Sequence, residues 1–457
     1  MVFSNLIFLY IFLPLFILCY KFFNKNVIIC LFSLIFYSFG EPTYVLLLII
    51  SIYFNYFIAK LIDKENHKKR YLIIGVSVNL LLLVVFKYTN FITSIIFNGD
   101  LEKFRTNIRL PIGISFYTFQ AISYIVDVYR GKVTAQKKFM NVLLYISMFP
   151  QLIAGPIVRY KTIADKIENR EITTLDKIYG LQRFIIGLAK KVILANQLSI
   201  ISNSFLQNDL YRMSKVGLIA GIIVFLLQLY FDFSGYTDMA IGLGAIMGFK
   251  FEENFDFPFA SKNMTEFWRR WHMSLGSFFK DYVYIPLGGN RHHQMRNIII
   301  VWLLTGIWHG ASLNFILWGI FLATFIIIEK IFLIDFLKKL PNFISHIYLC
   351  FITIISFTIF YFDDVLKLRD FFISLFTSNN IIDLYTKNTL LNNLFLIIVS
   401  IFFALPISEK LNLVLGYINE NKNVGLAVRV IYILFLLLYS TILLIGNTSN
   451  PFLYFRF

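Results

Sequence analysis

The chain has 457 residues, 58% of them hydrophobic and only 15% charged, with a formal net charge of +16. Soluble domains carry about 25% charged residues, so this composition excludes a soluble globular protein and indicates an integral membrane protein. The basic excess sits in loops beside apolar runs, where lysine and arginine set orientation. No basic tail or soluble basic domain is present to engage nucleic acid.

Residues 2–20 read as a first span, retained because a basic leader and a small-residue cleavage site are both missing. Residues 27–40 form a short apolar segment stopped by Glu41-Pro42, a turn signal. Residues 43–59 return across the membrane to the basic loop 60–70, which places the N-terminus outside if this loop is cytoplasmic. A further span covers 71–86, and 90–97 is too short to cross alone. The loop 98–109 carries Lys103, Arg105 and Arg109 and weakens the charge pattern locally. In 110–129, Gly113 and Ser115 are small residues suited to close helix packing.

Residues 139–157 lie between two basic loops and are interrupted at Phe149-Pro150-Gln151 and Gly155-Pro156. A single crossing would put one basic loop outside, so a re-entrant element is expected here, protein-covered as broken backbone at membrane depth must be. Residues 160–177 are then cytoplasmic. A long helix over 178–205 holds Lys190-Lys191, which either snorkel or line a polar cavity. The span 217–231 is followed by DFSGYTDMAIGLG, in which Asp232 and Asp238 read as capping and turn residues. Cys19, Cys30 and Cys350 show neither metal spacing nor a disulfide framework.

The stretch 264–319 holds all five tryptophans and four of the six histidines. Asn263 with Glu266 resembles a capping box and should start a helix. At 3.6 residues per turn, Trp268, Trp271, Leu275, Phe278, Phe279 and Tyr282 share one side, with His272 beside them. Arg269, Met273 and Lys280 lie on another side, giving an amphipathic helix suited to the membrane interface. In the next helix Trp302, Thr305, Gly306 and His309 share a face, and Gly306 with Gly310 permits close helix approach. His309 is an ionisable side chain in a tightly packed apolar helix, a place that faces a bundle interior or a wet cavity. A neutral imidazole there can serve as a general base; a buried, satisfied histidine is the structural alternative. No G-x-S-x-G elbow is present, and no histidine, aspartate and cysteine cluster indicates a metal. Beyond Gly319, residues 320–328, 346–362, 390–405 and 426–445 read as spans or parts of spans. His346, at the edge of one of these, reads as an interfacial histidine. The expected fold is an all-α polytopic membrane protein, one domain over 1–457, with about eleven membrane segments plus re-entrant pieces.

The segments FPQLIAGPIVRY, YFDFSGYTDMAIGLG, EFWRRWHMSLGSFFKDYVYIPLGGNR and LTGIWHGASLNFILWG together resemble the membrane-bound O-acyltransferase family. The likeness is to its bacterial branch for O-acetylation of alginate, peptidoglycan and similar polysaccharides. LPIGISFYTFQAISYIVDVYRG, GLAKKVILAN and the terminal NPFLYFRF fit as well, so the core motifs run from 110 to 320. YIPLGGNR, residues 284–291, favours this branch over the similar proteins of D-alanyl transfer to teichoic acid. The resemblance implies a ring of tilted helices around a central passage, in the inner or plasma membrane of a bacterial cell. A cytoplasmic acetyl thioester, acetyl-CoA, is the implied donor, with no bound cofactor. A polysaccharide is the implied acceptor, and a separate extracytoplasmic acetyltransferase the implied partner. His309 matches the family's catalytic histidine and His272 its second polar position. The division expected is His309 as base and His272 as donor-positioning or oxyanion support. Arg269 and Arg270 are expected to hold donor phosphate at the entrance, because guanidinium suits phosphate geometry. Trp271 and Trp308 complete the expected substrate-binding set. D-alanyl transfer, a glycan or acyl transporter and a non-catalytic scaffold are the competing readings.

Overall fold

The computed structural model describes residues 1–96, 108–407 and 422–446. The secondary structure among these residues is helical, apart from one isolated bridge between Phe255 and Trp271. Six helices among the described residues are long and apolar enough to cross a membrane: Tyr44–Lys64, Lys68–Ile96, Thr174–Leu206, Lys215–Ile246, Asn342–Tyr361 and Gly425–Gly446. The bent pair Leu384–Asn392 and Leu394–Ala404 makes a seventh if taken as one span. Shorter apolar helices include Phe8–Phe22, Lys25–Ser38, Gln294–His309 and Leu313–Ile328. The figure of about eleven counts segments of this shorter kind too, against the ~20 residues an upright span needs. The chain is an all-α polytopic membrane protein. Residues 98–107 of the basic loop and the terminal NPFLYFRF lie outside the described residues.

Two boundaries differ from the sequence expectation. The segment expected to end at 86 continues as one helix, Lys68–Ile96. The expected break after Phe231 is absent, and a 32-residue helix, Lys215–Ile246, runs through the DFSGYTD segment. Asp232 and Asp238 are therefore not caps. Their burial inside a helix is compensated by cations: Asp232 pairs with Lys191, and Asp238 with Arg183 at 2.6 Å. Lys191 is 3% exposed and so does not snorkel.

The chain packs as two compact units. The first comprises 1–184 and 236–253. An aromatic cluster of Phe3, Phe8, Phe12, Phe16 and Phe36 closes around Phe149. Asn55 and Asn79 exchange amide hydrogen bonds of 3.1 and 2.7 Å between neighbouring helices, satisfying two buried amides at once. The 139–157 segment is broken into Phe139–Ser147 and Phe149–Leu152, of 9 and 4 residues. At 1.5 Å per residue neither reaches across about 30 Å of hydrocarbon. Asn141 donates to Glu168 at 3.1 Å and Tyr145 to the Val158 carbonyl at 3.0 Å. The chain after Leu152 therefore packs back against Phe139–Ser147.

The second unit comprises 185–235 and 254–457. Its helices Gln294–His309 and Leu313–Ile328 lie backbone to backbone. A Cβ on Gly306 would run into the Phe315 carbonyl oxygen, one on Gly310 into the Phe315 ring, and one on Gly319 would stand 2.5 Å from the Trp302 carbonyl. The G-x-x-x-G pair thus does what its spacing indicates.

Candidate active site

The site is built from the short helices that follow Asn263. The Asn263 side chain accepts from the Glu266 N–H at 2.8 Å, capping Met264–Arg270. The reciprocal bond of the box is displaced by one residue, because the Glu266 carboxylate accepts from the Lys262 N–H at 3.0 Å. A second carboxylate fastens the same helix start. Glu329, 1% exposed, accepts from the N–H groups of Met264 and Thr265 at 2.6 and 2.8 Å. It also accepts from the Thr265 and Tyr348 hydroxyls at 2.6 and 3.0 Å. His346, expected at an interface, is part-buried and donates from Nδ1 to the Ser261 carbonyl at 3.1 Å, holding the chain just before the cap.

The amphipathic helix expected to run on past His272 does not. It ends at Arg270, and a second helix, Met273–Phe279, begins beyond a break. At the break Trp271 is extended and bridged to Phe255, and His272 has φ 46° and ψ 53°. Left-handed backbone at a non-glycine residue costs about 1–3 kcal/mol and persists only where surroundings impose it. Asn254 imposes it here: its carbonyl accepts from the Met273 N–H at 3.0 Å. Its side-chain oxygen meets the Ser274 N–H at 3.0 Å, the Ser274 hydroxyl at 2.9 Å and His272 Nδ1 at 3.2 Å.

Gln294–His309 supplies the other wall. Trp302, Thr305 and His309 share one face of it and, with Trp268, Trp271, His272, Leu275 and Phe279, line a cavity of about 170 Å³. Lys280 and Tyr284, the ends of a π-helical turn, complete its rim with Gly276 and Val301. Both candidate histidines are buried, His272 at 3% and His309 at 7% exposure. His309 is seated edge-to-face against three aromatic rings, Trp308, Trp318 and Phe360, at centroid distances of 4.9, 5.2 and 5.2 Å. Trp318 is itself tied by its indole N–H to the Ser356 hydroxyl at 3.0 Å. His272 lies against Phe233 at 4.6 Å and Trp308 at 6.2 Å. It lies outside the helices long enough to span, and burial lowers its pKa below the ordinary imidazole range, keeping the ring neutral.

The structure brings four of the expected residues together and separates two. His309, His272 and Trp271 line the cavity, and Trp308 packs between the two imidazoles without lining it. The arginines do not line it. Arg270 is engaged by Glu266 at 2.9 Å and Asp256 at 3.6 Å, the i,i+4 spacing with Glu266 having drawn it sideways along its own helix. Arg269 is solvent-exposed. Asn254 and Glu329 carry no sequence signal as site-building residues, because they reach the site from segments distant in the chain.

The site thus presents two buried imidazoles at one small aromatic cavity of a helical membrane protein, and no group of three His, Cys, Asp or Glu side chains among the described residues could hold a metal ion. The chain belongs to the membrane-bound O-acyltransferase family, whose model matches residues 31–362. It is 42% identical over 348 residues to the probable alginate O-acetylase AlgI of Pseudomonas syringae pv. tomato, covering 72% of this chain and 66% of that protein. To the probable alginate O-acetylase AlgI of Pseudomonas aeruginosa it is 39% identical over 377 residues, 79% of this chain and 72% of the relative. To the peptidoglycan O-acetyltransferase of Helicobacter pylori it is 36% identical over 364 residues, 70% and 68% of the two chains. The chain thus spans between 66% and 72% of the length of these relatives.

Proposed function

We propose that this protein takes an acetyl group from a cytoplasmic thioester, acetyl-CoA, and passes it across the membrane for O-acetylation of an extracytoplasmic polysaccharide. The observation that carries the reading is the convergence of His272, from the break before Met273–Phe279, and His309, from the end of Gln294–His309, on one cavity. The relatives' names supply the acetyl group and the glycan: alginate, peptidoglycan or a similar polymer. Size fits the small group. Pockets for drug-sized ligands run to about 300–1,000 Å³, so a cavity of about 170 Å³ accommodates an acetyl thioester end rather than a coenzyme or a sugar chain.

Acetyl transfer forms a carbon–oxygen bond and breaks a carbon–sulfur bond, while the acceptor hydroxyl proton ends on the leaving sulfur. His309 is assigned the base that carries this proton, because three aromatic rings fix its position. General base catalysis contributes roughly 10²–10⁴-fold. The aromatic lining limits water, which would otherwise hydrolyse the acetyl group. Arg269, exposed beside the cavity-lining Trp268, is the arginine left to meet donor phosphate, since Arg270 is committed to Glu266 and Asp256. The setting proposed is the bacterial inner or plasma membrane, with a separate extracytoplasmic acetyltransferase completing delivery. The test is His309→Ala in cells: the variant should reach wild-type protein levels and leave the surface polysaccharide unacetylated. Full acetylation by a normally assembled variant would sink the enzyme reading and favour a transporter or scaffold.

A further inference from the structure

We propose that Asn254 is a positioning residue that holds His272 as its Nδ1–H tautomer, leaving Nε2 as the ring's acceptor nitrogen. The proposal rests on the reading of the cavity as the acyl-transfer site, and it adds the residue and the proton position that reading lacks.

The proton is located by the company the Asn254 side chain keeps. Its Oδ1 position lies 3.0 Å from the backbone nitrogen of Ser274. A backbone N–H only donates, so the amide atom facing it is the oxygen; the flipped amide would set two donors against each other. The same oxygen receives the Ser274 hydroxyl at 2.9 Å. His272 Nδ1 stands 3.2 Å from this oxygen, and a ring nitrogen facing an acceptor carries its hydrogen. The ring is buried and neutral, so it holds one proton only. With that proton on Nδ1, Nε2 keeps its lone pair.

Two further facts show that the arrangement is imposed. The Asn254 amide nitrogen is buried and has no hydrogen-bond partner among the described residues, so the orientation is dictated by the oxygen end. The backbone of the same residue fixes the histidine's strained conformation, its carbonyl receiving the Met273 N–H at 3.0 Å. Asn254 thus sets ring position, backbone and tautomer together. The geometry has a chemical consequence. A neutral His272 has no N–H left for an oxyanion, so the oxyanion role expected of it from the sequence gives way to an acceptor role. His272→Phe, which removes the acceptor nitrogen, should then lose activity, while His272→Gln should retain part of it because its amide oxygen can still accept.

The experiment is nitrogen-15 NMR of the full-length protein, histidine-labelled and held in lipid, with His272→Gln used to assign the resonance. Wild type should show a pyrrole-type Nδ1 and a pyridine-type Nε2 at His272. Asn254→Asp keeps an oxygen in place and should preserve that pattern. Asn254→Leu should lose it, and kcat for acetyl transfer should fall by roughly 10²-fold, the cost of a misplaced group, with KM for acetyl-CoA little changed. A wild-type ring protonated on Nε2, or an Nδ1–H pattern that survives Asn254→Leu, overturns the proposal. The NMR reading needs no substrate. If it comes out as expected while His309→Ala still acetylates, the acyl-transfer reading fails and the tautomer assignment stands.

Discussion

Glu329→Gln should destabilise the protein and loosen the cavity wall although residue 329 does not line the cavity. Each carboxylate oxygen serves two donors: Oε1 takes the Met264 N–H and the Tyr348 hydroxyl, and Oε2 takes the N–H and hydroxyl of Thr265. Glutamine keeps the shape and one oxygen, but its NH₂ faces a backbone N–H wherever it turns, while the hydroxyl of that pair can rotate and accept. One bond to a charged acceptor is therefore lost outright, at about 1.5–3 kcal/mol. That is a substantial share of the roughly 5–15 kcal/mol that holds a typical fold. The damage falls at the start of Met264–Arg270, which carries Trp268 and leads into Trp271 and His272. Thermal unfolding of the purified variant in detergent, followed by tryptophan fluorescence, measures it. All five tryptophans lie within the affected region, so the signal is local. A midpoint equal to wild type would refute the reasoning that this carboxylate anchors the site.

Three other outcomes follow from single contacts. Lys191→Met leaves Asp232 buried without its cation and should cost about 3–5 kcal/mol, while Lys191→Met with Asp232→Leu should recover much of it; equal melting of single and double variants would contradict the pairing. Gly306→Ala drives a methyl into the Phe315 carbonyl and should destabilise by roughly 1–3 kcal/mol as overpacking does, checked by the same melt, with an unchanged midpoint arguing against backbone contact of the two helices. Cysteines placed singly across 160–170 should react with reagent only when the cytoplasmic side is accessible, and labelling from outside would refute the re-entrant topology.

What could be read from the sequence was what repeats at helical spacing. Trp302, Thr305 and His309 share a face because the interval of three and four residues is enforced by the helix itself, and Gly306 and Gly310 face a neighbour for the same reason. The Asn263 cap was legible because its partner is three residues away. The break at His272 was not, because the group that causes it, Asn254, lies 18 residues upstream and no local breaker marks the spot. Glu329 reaches the same helix from 65 residues downstream, beyond any pattern of periodicity. The DFSGYTD segment misled in the opposite sense. Its aspartates, glycine and serine are turn formers in isolation, yet Lys191 and Arg183 neutralise both carboxylates and the helix continues through them. Arg269 and Arg270 looked alike in sequence, and only the carboxylates around Arg270 separate them.

The most direct test of the central claim is acetyl transfer by the purified protein in detergent, given isotope-labelled acetyl-CoA, the proposed extracytoplasmic acetyltransferase and a soluble polysaccharide or oligosaccharide acceptor. Wild type should release free coenzyme thiol and label the acceptor in equal amounts. His309→Ala, matched for folded protein by its melting curve, should lose transfer by roughly 10²–10⁴-fold. Transfer by His309→Ala at the wild-type rate would contradict the assignment of the buried imidazole as the base.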